Sequence, residues 1–228
     1  MVTNDSDIYM DLLSSIFKIV LIDLVLSGDN AVVIGMAAHR LPPRQRKFAI
    51  LFGGGAAIVL RIALTMIAAL LLQISGLQLL GGALLIWIGF KLLKEEEESH
   101  EGMKVAASMR EAIFTILIAD FIMSTDNVLG VAGASNGSLK LLFFGLIFSM
   151  AILMWMGSLV ANLINRFWWL SYAGAAVIAW TGATMIFGDS YVVAHVKWLS
   201  PSITYVTSAL ITIAVPAFAH WFHRVRGG

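Results

Sequence analysis

Residues 23-30 read Asp-Leu-Val-Leu-Ser-Gly-Asp-Asn and lie inside an apolar run long enough to be a membrane helix. The stretch returns as Asp-Phe-Ile-Met-Ser-Thr-Asp-Asn at residues 120-127, so Asp23, Ser27, Asp29 and Asn30 recur as Asp120, Ser124, Asp126 and Asn127, 97 positions later. Each copy offers two carboxylates, an amide carbonyl and a hydroxyl. That all-oxygen set suits hard divalent cations such as Mg²⁺, Ca²⁺ and Mn²⁺. The chain has no cysteine, which excludes thiolate metal sites, disulfides and thiol redox chemistry.

An ionisable side chain at the bilayer centre costs about 2.5-3.5 kcal/mol on insertion scales. Four aspartates near mid-membrane therefore read as a functional centre, against the plainer alternative that they pair among themselves or with Arg61 and only hold helices together. Residues i and i+6 of a regular helix point about 240° apart, so Asp23 and Asp29 do not share a face unless the helix breaks between them. Ser27-Gly28 and Ser124-Thr125 stand where such breaks are needed. Glycine permits the required backbone, and Ser, Thr, Asp and Asn can hydrogen-bond the peptide groups that a break frees. Arg61, deep in the second apolar run, needs a partner and is expected to be a structural counter-ion to one aspartate. Coupled carboxylates that exchange protons for metal offer a route to proton-for-metal exchange. Methionines at such positions usually fill space or face lipid, and Met123, beside the second motif, is the one that could add a soft thioether and favour Mn²⁺.

The elements that must position these groups follow from composition. With 59% hydrophobic and 13% charged residues and a mean hydropathy of +0.87, the chain is an all-α polytopic membrane protein. A span needs about 20 apolar residues, which predicts seven: 12-38, 48-73, 76-93, 111-135, 140-164, 167-188 and 202-222. The whole chain, 1-228, is then one transmembrane domain in a lipid bilayer, with polar connections at 94-110 and 189-201. The net charge of +1 carries no nucleic-acid signal. Residues 1-11 lack the basic region and cleavage site of a signal peptide, so the first span is expected to stay in the mature protein.

Arg40, Arg44, Arg46, Lys47, Lys91, Lys94, Lys104, Arg110, Arg166, Arg224 and Arg226 fall on one side if the amino terminus is outside, against Lys140 and Lys197 on the other. Basic loops mark the cytoplasm, which predicts an N-out, C-in arrangement. Repeat one (12-93) and repeat two (111-188) each hold three spans, an odd number, so they enter the membrane from opposite sides, with 202-222 as an extra helix. Inverted repeats of this kind are the build of secondary transporters. Gly53-Gly54-Gly55, Gly81-Gly82 and Gly130/Gly133 are expected at close helix crossings.

Other polar groups read more plainly. The run Glu95-Glu98 with Ser99, His100 and Glu101 is expected to be a solvated loop, and Asp189 a solvated residue at the outer edge. His220 and His223 make an incomplete metal site at a helix end. Asn162 and Asn165 are expected at the interface.

The doubled motif, Asp-x3-Ser-Gly-Asp-Asn and Asp-x3-Ser-Thr-Asp-Asn with flanking Ala-Val-Val-Ile and Val-Leu-Gly-Val-Ala, resembles the TerC family of integral membrane proteins in its short bacterial form, over about residues 12-188. The family sits with the LysE-type exporters and takes its name from tellurite resistance; several members are regarded as manganese exporters of the bacterial cytoplasmic membrane. The resemblance implies a non-enzymatic transporter with no prosthetic group, Mn²⁺ or a similar cation as cargo, and Asp23, Asp29, Asn30, Asp120, Asp126 and Asn127 as the transport site. Ser27, Ser124, Thr125 and Arg61 would support it. Gly28 in the first copy against Thr125 in the second makes the half-sites unequal. Two other classes compete: an intramembrane aspartyl protease, against which stands the absence of Tyr-Asp and Gly-x-Gly-Asp signatures, and a non-transporting helper in tellurite or metal stress complexes.

Overall fold

The computed structural model describes residues 5-67, 74-100, 108-134, 138-196 and 200-226. These form eight helices with no strand among the described residues: α1 (Asp5–Ala38), α2 (Pro43–Met66), α3 (Leu77–His100), α4 (Met109–Ala134), α5 (Leu139–Arg166), α6 (Leu170–Gly188), the single-turn α7 (Ser190–His195) and α8 (Pro201–Arg226). Six, all but α4 and α7, contain stretches long and apolar enough to cross a membrane. The helix that carries the second motif, α4, is 26 residues long. Phe17, Val25, Leu80, Phe148, Trp155, Leu210 and Ile213 are exposed, as lipid-facing side chains are.

Several boundaries differ from the sequence reading for local reasons. The second helix begins at Pro43 rather than 48, because a proline at the first helical position has the right φ and lacks only an amide hydrogen with no helical partner. The third helix does not end at 93 but continues to His100 through the glutamate run. Glu95 and Glu96 are accordingly not solvated: Arg40 pairs with Glu95, and His39 with Glu96, which is 7% exposed. The side chains of Glu97, Glu98, Ser99 and His100, the whole of Glu101, and the side chain of His223 lie outside the described residues. His220 is exposed on α8, its Nδ1 3.3 Å from the Tyr172 hydroxyl.

Asp189, too, is not the solvated residue expected. It is buried, 2% exposed, and accepts hydrogen bonds from the backbone N–H groups of Tyr191 (2.8 Å), Gln78 (3.1 Å), Leu79 (3.2 Å) and Gly76 (3.2 Å). One carboxylate thus caps the first turns of α7 and α3, where helix N-termini leave amides unpaired. Burial pushes its carboxyl up, but the N–H donors of Tyr191, Leu79, Gly76 and Val192 outweigh that and hold its pKa below the ordinary carboxylate value.

Packing is organised in pairs: α1 against α5 and α4, α2 against α4, and α3 against α6, with α8 on the outside of α6 and α3. Gly82 of α3 and Gly182 of α6 meet back to back, and a Cβ on either would strike the other's carbonyl oxygen. The flanking contacts are reciprocal: Gly82 lies on Ile186 and Gly182 on Ile86. Gly53 and Gly54 sit at close contacts with Ile116 and Met154, whereas Gly55 faces open space. The surroundings of Gly130 and Gly133 lie outside the described residues.

Candidate functional site

The first motif breaks its helix where the spacing requires. Ser27 has φ −119° and ψ 15°, the non-helical position inside α1. The carbonyl of Leu26 accepts a hydrogen bond from Asn127 Nδ2 of the second motif at 2.8 Å, and Ser27 Oγ lies 3.5 Å from the same nitrogen. An amide from one copy therefore serves a backbone group at the break in the other. Gly28 has nothing within 4 Å of a hypothetical Cβ, so the kink opens onto free space. The break expected at Ser124-Thr125 is absent: both hydroxyls bond one turn back, Ser124 Oγ to Asp120 Oδ2 at 3.2 Å and Thr125 Oγ1 to the Phe121 carbonyl at 2.8 Å, and α4 runs as one helix.

Arg61, 3% exposed on α2, stands between the two copies. Its Nη1 donates to both oxygens of Asp23, at 2.9 and 3.0 Å, and lies 3.2 Å from Ser27 Oγ. On the other edge Nη2 pairs with Asp120, and Nε donates to Ser124 Oγ at 2.9 Å. A planar guanidinium with donors on two edges is the side chain suited to hold two carboxylates at once. The expectation of one aspartate partner was too small: the structure gives it one from each motif. Asp23 is 0% and Asp120 3% exposed, so the cation compensates charges that would otherwise be costly to bury.

Asn30 completes the ring. Its Nδ2 donates to Asp120 Oδ1 at 2.9 Å, while its Oδ1 is buried with no hydrogen-bond partner among the described residues. A buried amide oxygen of this kind keeps acceptor capacity that its neighbours do not use. Asp29 lies apart from this ring, half-buried, with Oδ1 accepting from the Asn30 backbone N–H at 3.1 Å and Oδ2 from Thr181 Oγ1 at 2.9 Å. The side chain of Asp126 is outside the description. Among the described residues no three His, Cys, Asp or Glu side chains form a ready-made metal cage. Met123 is buried in the apolar core.

Two contributors have no motif signal. Ser149 of α5, fully buried, donates to Asp23 Oδ2 at 2.6 Å, and Thr181 of α6 holds Asp29. Each is a hydroxyl in a largely apolar helix, a type that ordinarily bonds its own backbone, and the Leu146 and Val177 carbonyls lie at 3.1 and 3.2 Å as alternative acceptors for its one proton. Thr65 lies a turn beyond Arg61 and donates to the Arg61 carbonyl at 2.8 Å.

The family model described as "Integral membrane protein TerC family" matches residues 9–227. The chain is 44% identical over 179 residues to the "Uncharacterized membrane protein YjbE" of Bacillus subtilis, covering 78% of this chain and 82% of that one. It is 27% identical over 163 residues to the "UPF0053 inner membrane protein YgdQ" of Escherichia coli, covering 64% and 68%. The "Uncharacterized membrane protein YkoY" of Bacillus subtilis is 24% identical over 191 residues, covering 75% and 58%. No solved structure matches. With nearly its full length matched and a relative sharing this much sequence, the chain belongs to the TerC family of integral membrane proteins.

Proposed function

We propose that this protein carries a hard divalent cation, Mn²⁺ foremost, out through the bacterial cytoplasmic membrane by alternating access at the paired aspartate motifs. The observation that carries this reading is the buried Arg61 guanidinium held between Asp23 and Asp120. Carboxylates from two different helices converge on one cation in the protein interior, and a cation is what that convergence selects. Asn30 adds an unsatisfied carbonyl oxygen, the donor type hard cations take.

In this account Arg61 is the built-in occupant of the centre when no cargo is there. An arriving divalent ion displaces the guanidinium from one or both carboxylates, so the charge of Asp23 and Asp120 is compensated at every stage. Asp29, on the far side of the kink beside Thr181, and Asp126, its counterpart, are the second pair of ligands or waypoints. Protons taken up by these carboxylates as the ion leaves would couple transport to the proton gradient.

Several features support the architecture. The reciprocal Gly82/Gly182 and Ile86/Ile186 contacts are what a two-fold pseudo-symmetry between repeats produces. So is the way Ser27–Asp23 and Ser124–Asp120 flank Arg61. We take α4 as the seventh span, giving two inverted three-helix repeats plus α8. The basic residues Arg40, Arg46, Lys91 and Lys94 collect near the α3 C-terminus, the end we assign to the cytoplasm. The inner-membrane name of the YgdQ relative agrees with the location. The protease reading is weaker, because two carboxylates clamped on a guanidinium are not the proton-sharing dyad that activates water.

The test is manganese retention in cells loaded with Mn²⁺ and then washed, with and without the protein and its Asp126→Asn variant. The native protein should lower retained manganese and the variant should not. Equal export by the variant would remove the proposed site, and no effect of the native protein would return the helper reading.

A further inference from the structure

The C-terminal end of α1 carries a polar cluster that the aspartate centre does not use. His39, 3% exposed, places Nδ1 2.7 Å from the Met36 carbonyl oxygen and Nε2 2.5 Å from Glu96 Oε2 on α3. A carbonyl can only accept, so Nδ1 is assigned the hydrogen. The Nε2···Oε2 contact then needs one further proton, on the ring or on the carboxyl. Without it a bare nitrogen lone pair would face a carboxylate in a buried setting, which is repulsive. The contact as it stands is therefore a proton-bound one.

The same short segment is tied to three other helices. The His39 carbonyl accepts from Arg46 Nη2 of α2 at 2.6 Å and from Asn165 Nδ2 of α5 at 3.3 Å. Arg40 donates to the Glu95 carbonyl at 3.2 Å and pairs with its side chain. His39 lies about 14 Å along the helix from Asn30, so whatever moves this end moves the helix bearing the first motif. The charged groups around this segment are Arg40 just after α1, Arg46 from α2, Lys91, Lys94 and Glu95 from α3 and Glu111 from α4. Arg40 pairs with Glu95, and Lys91 with Glu95 and Glu111. Among these side-chain types imidazole is the one that ordinarily changes charge between about pH 5 and 8.

We propose that His39 and Glu96 form a proton-binding site, separate from the aspartate centre, whose proton latches α1 to α3 and closes this end of the molecule. Loss of the proton releases the latch. The sign follows: the closed form dominates where the proton is bound and yields as the pH on that face rises. Resting on the transport reading, this gives an order for exchange: a proton leaves to the cytoplasm before the cation enters from it.

The test needs no metal flux, so its failure is distinguishable from failure of the transport reading. Ala37, 8% exposed, lines a void of about 20 Å³ with Arg40, Glu95 and Glu111, and the chain has no native cysteine. Ala37→Cys therefore supplies a single thiol whose labelling by a water-soluble maleimide reports opening. The full-length protein in detergent is labelled across a pH series, alone and combined with Glu96→Gln. A glutamine amide donates to neutral Nε2 without the extra proton, so that background stays latched at every pH. Dividing the two rates cancels the thiol's own pH dependence. The ratio should climb by up to about tenfold per pH unit through the titration, the limit for one proton. His39→Gln, whose amide can donate to the Glu96 carboxylate, should flatten the profile in the same way and serves if the first variant does not fold. A ratio that is constant with pH in the foldable background overturns the proposal.

Discussion

Gly82 of α3 and Gly182 of α6 press so closely that neither position has room for a Cβ against the other's carbonyl oxygen. The obstacle is backbone, which cannot rotate away as a side chain can. Gly82→Ala should therefore separate the two helices and destabilise the fold by about 1-3 kcal/mol, the range of overpacked cores. Gly28→Ala, where nothing lies within 4 Å, should cost far less. Thermal melts of the two purified variants make the comparison, and equal melting would contradict the crossing.

Removing Arg61 leaves Asp23 and Asp120 facing each other in the interior without their cation. Breaking a buried pair in this way costs about 3-5 kcal/mol. Arg61→Gln should lower the melting temperature strongly, and added Mn²⁺ should recover much more of it in the variant than in the native protein. A variant whose stability is indifferent to Mn²⁺ would argue against a shared cation site.

The hydroxyls separate stability from transport. Ser149→Ala removes a 2.6 Å hydrogen bond to the buried Asp23 carboxylate and should cost about 1.5-3 kcal/mol, as bonds to charged groups do. Thr181→Val acts on the half-buried Asp29 and should leave melting within about 1 kcal/mol while slowing flux about three- to tenfold. Melting curves and initial flux rates, taken on the same preparations, distinguish the two.

The capping carboxylate Asp189 has its pKa held below the ordinary value. Its stabilisation is thus fully present above the unfolded carboxylate pKa and lost as pH falls through the lower folded one. Asp189→Ala should melt lower than the native protein at neutral pH, by about 1 kcal/mol or more for each helix that loses its cap. The gap should close only in strong acid. A gap that closes near neutrality would assign the effect to another group.

Much of the centre was legible because membrane physics leaves few excuses for polar residues. The 97-residue echo of Asp23 and Asp29, the need for a break at Ser27 and the need of Arg61 for a partner all follow from spacing and the cost of burial. What stayed hidden depends on which helices meet. Ser149 and Thr181 look like any hydroxyl in an apolar helix until α5 and α6 bring them to Asp23 and Asp29. Glu96 and Asp189 look like loop charges, because the sequence does not show that α3 runs on past its apolar part or that one carboxylate meets two helix starts. That Arg61 serves both motifs, and not one, is likewise a fact of the α1, α2 and α4 arrangement.

The most direct measurement is Mn²⁺ movement by the purified protein in sealed lipid vesicles, native against Asp29→Asn, a change that leaves the Arg61 pairs untouched. Native protein should give flux above empty vesicles, and the variant should lose at least about tenfold, equivalent to about 1.4 kcal/mol. Native protein that moves no divalent cation, or a variant that moves it equally well, would contradict the transport reading.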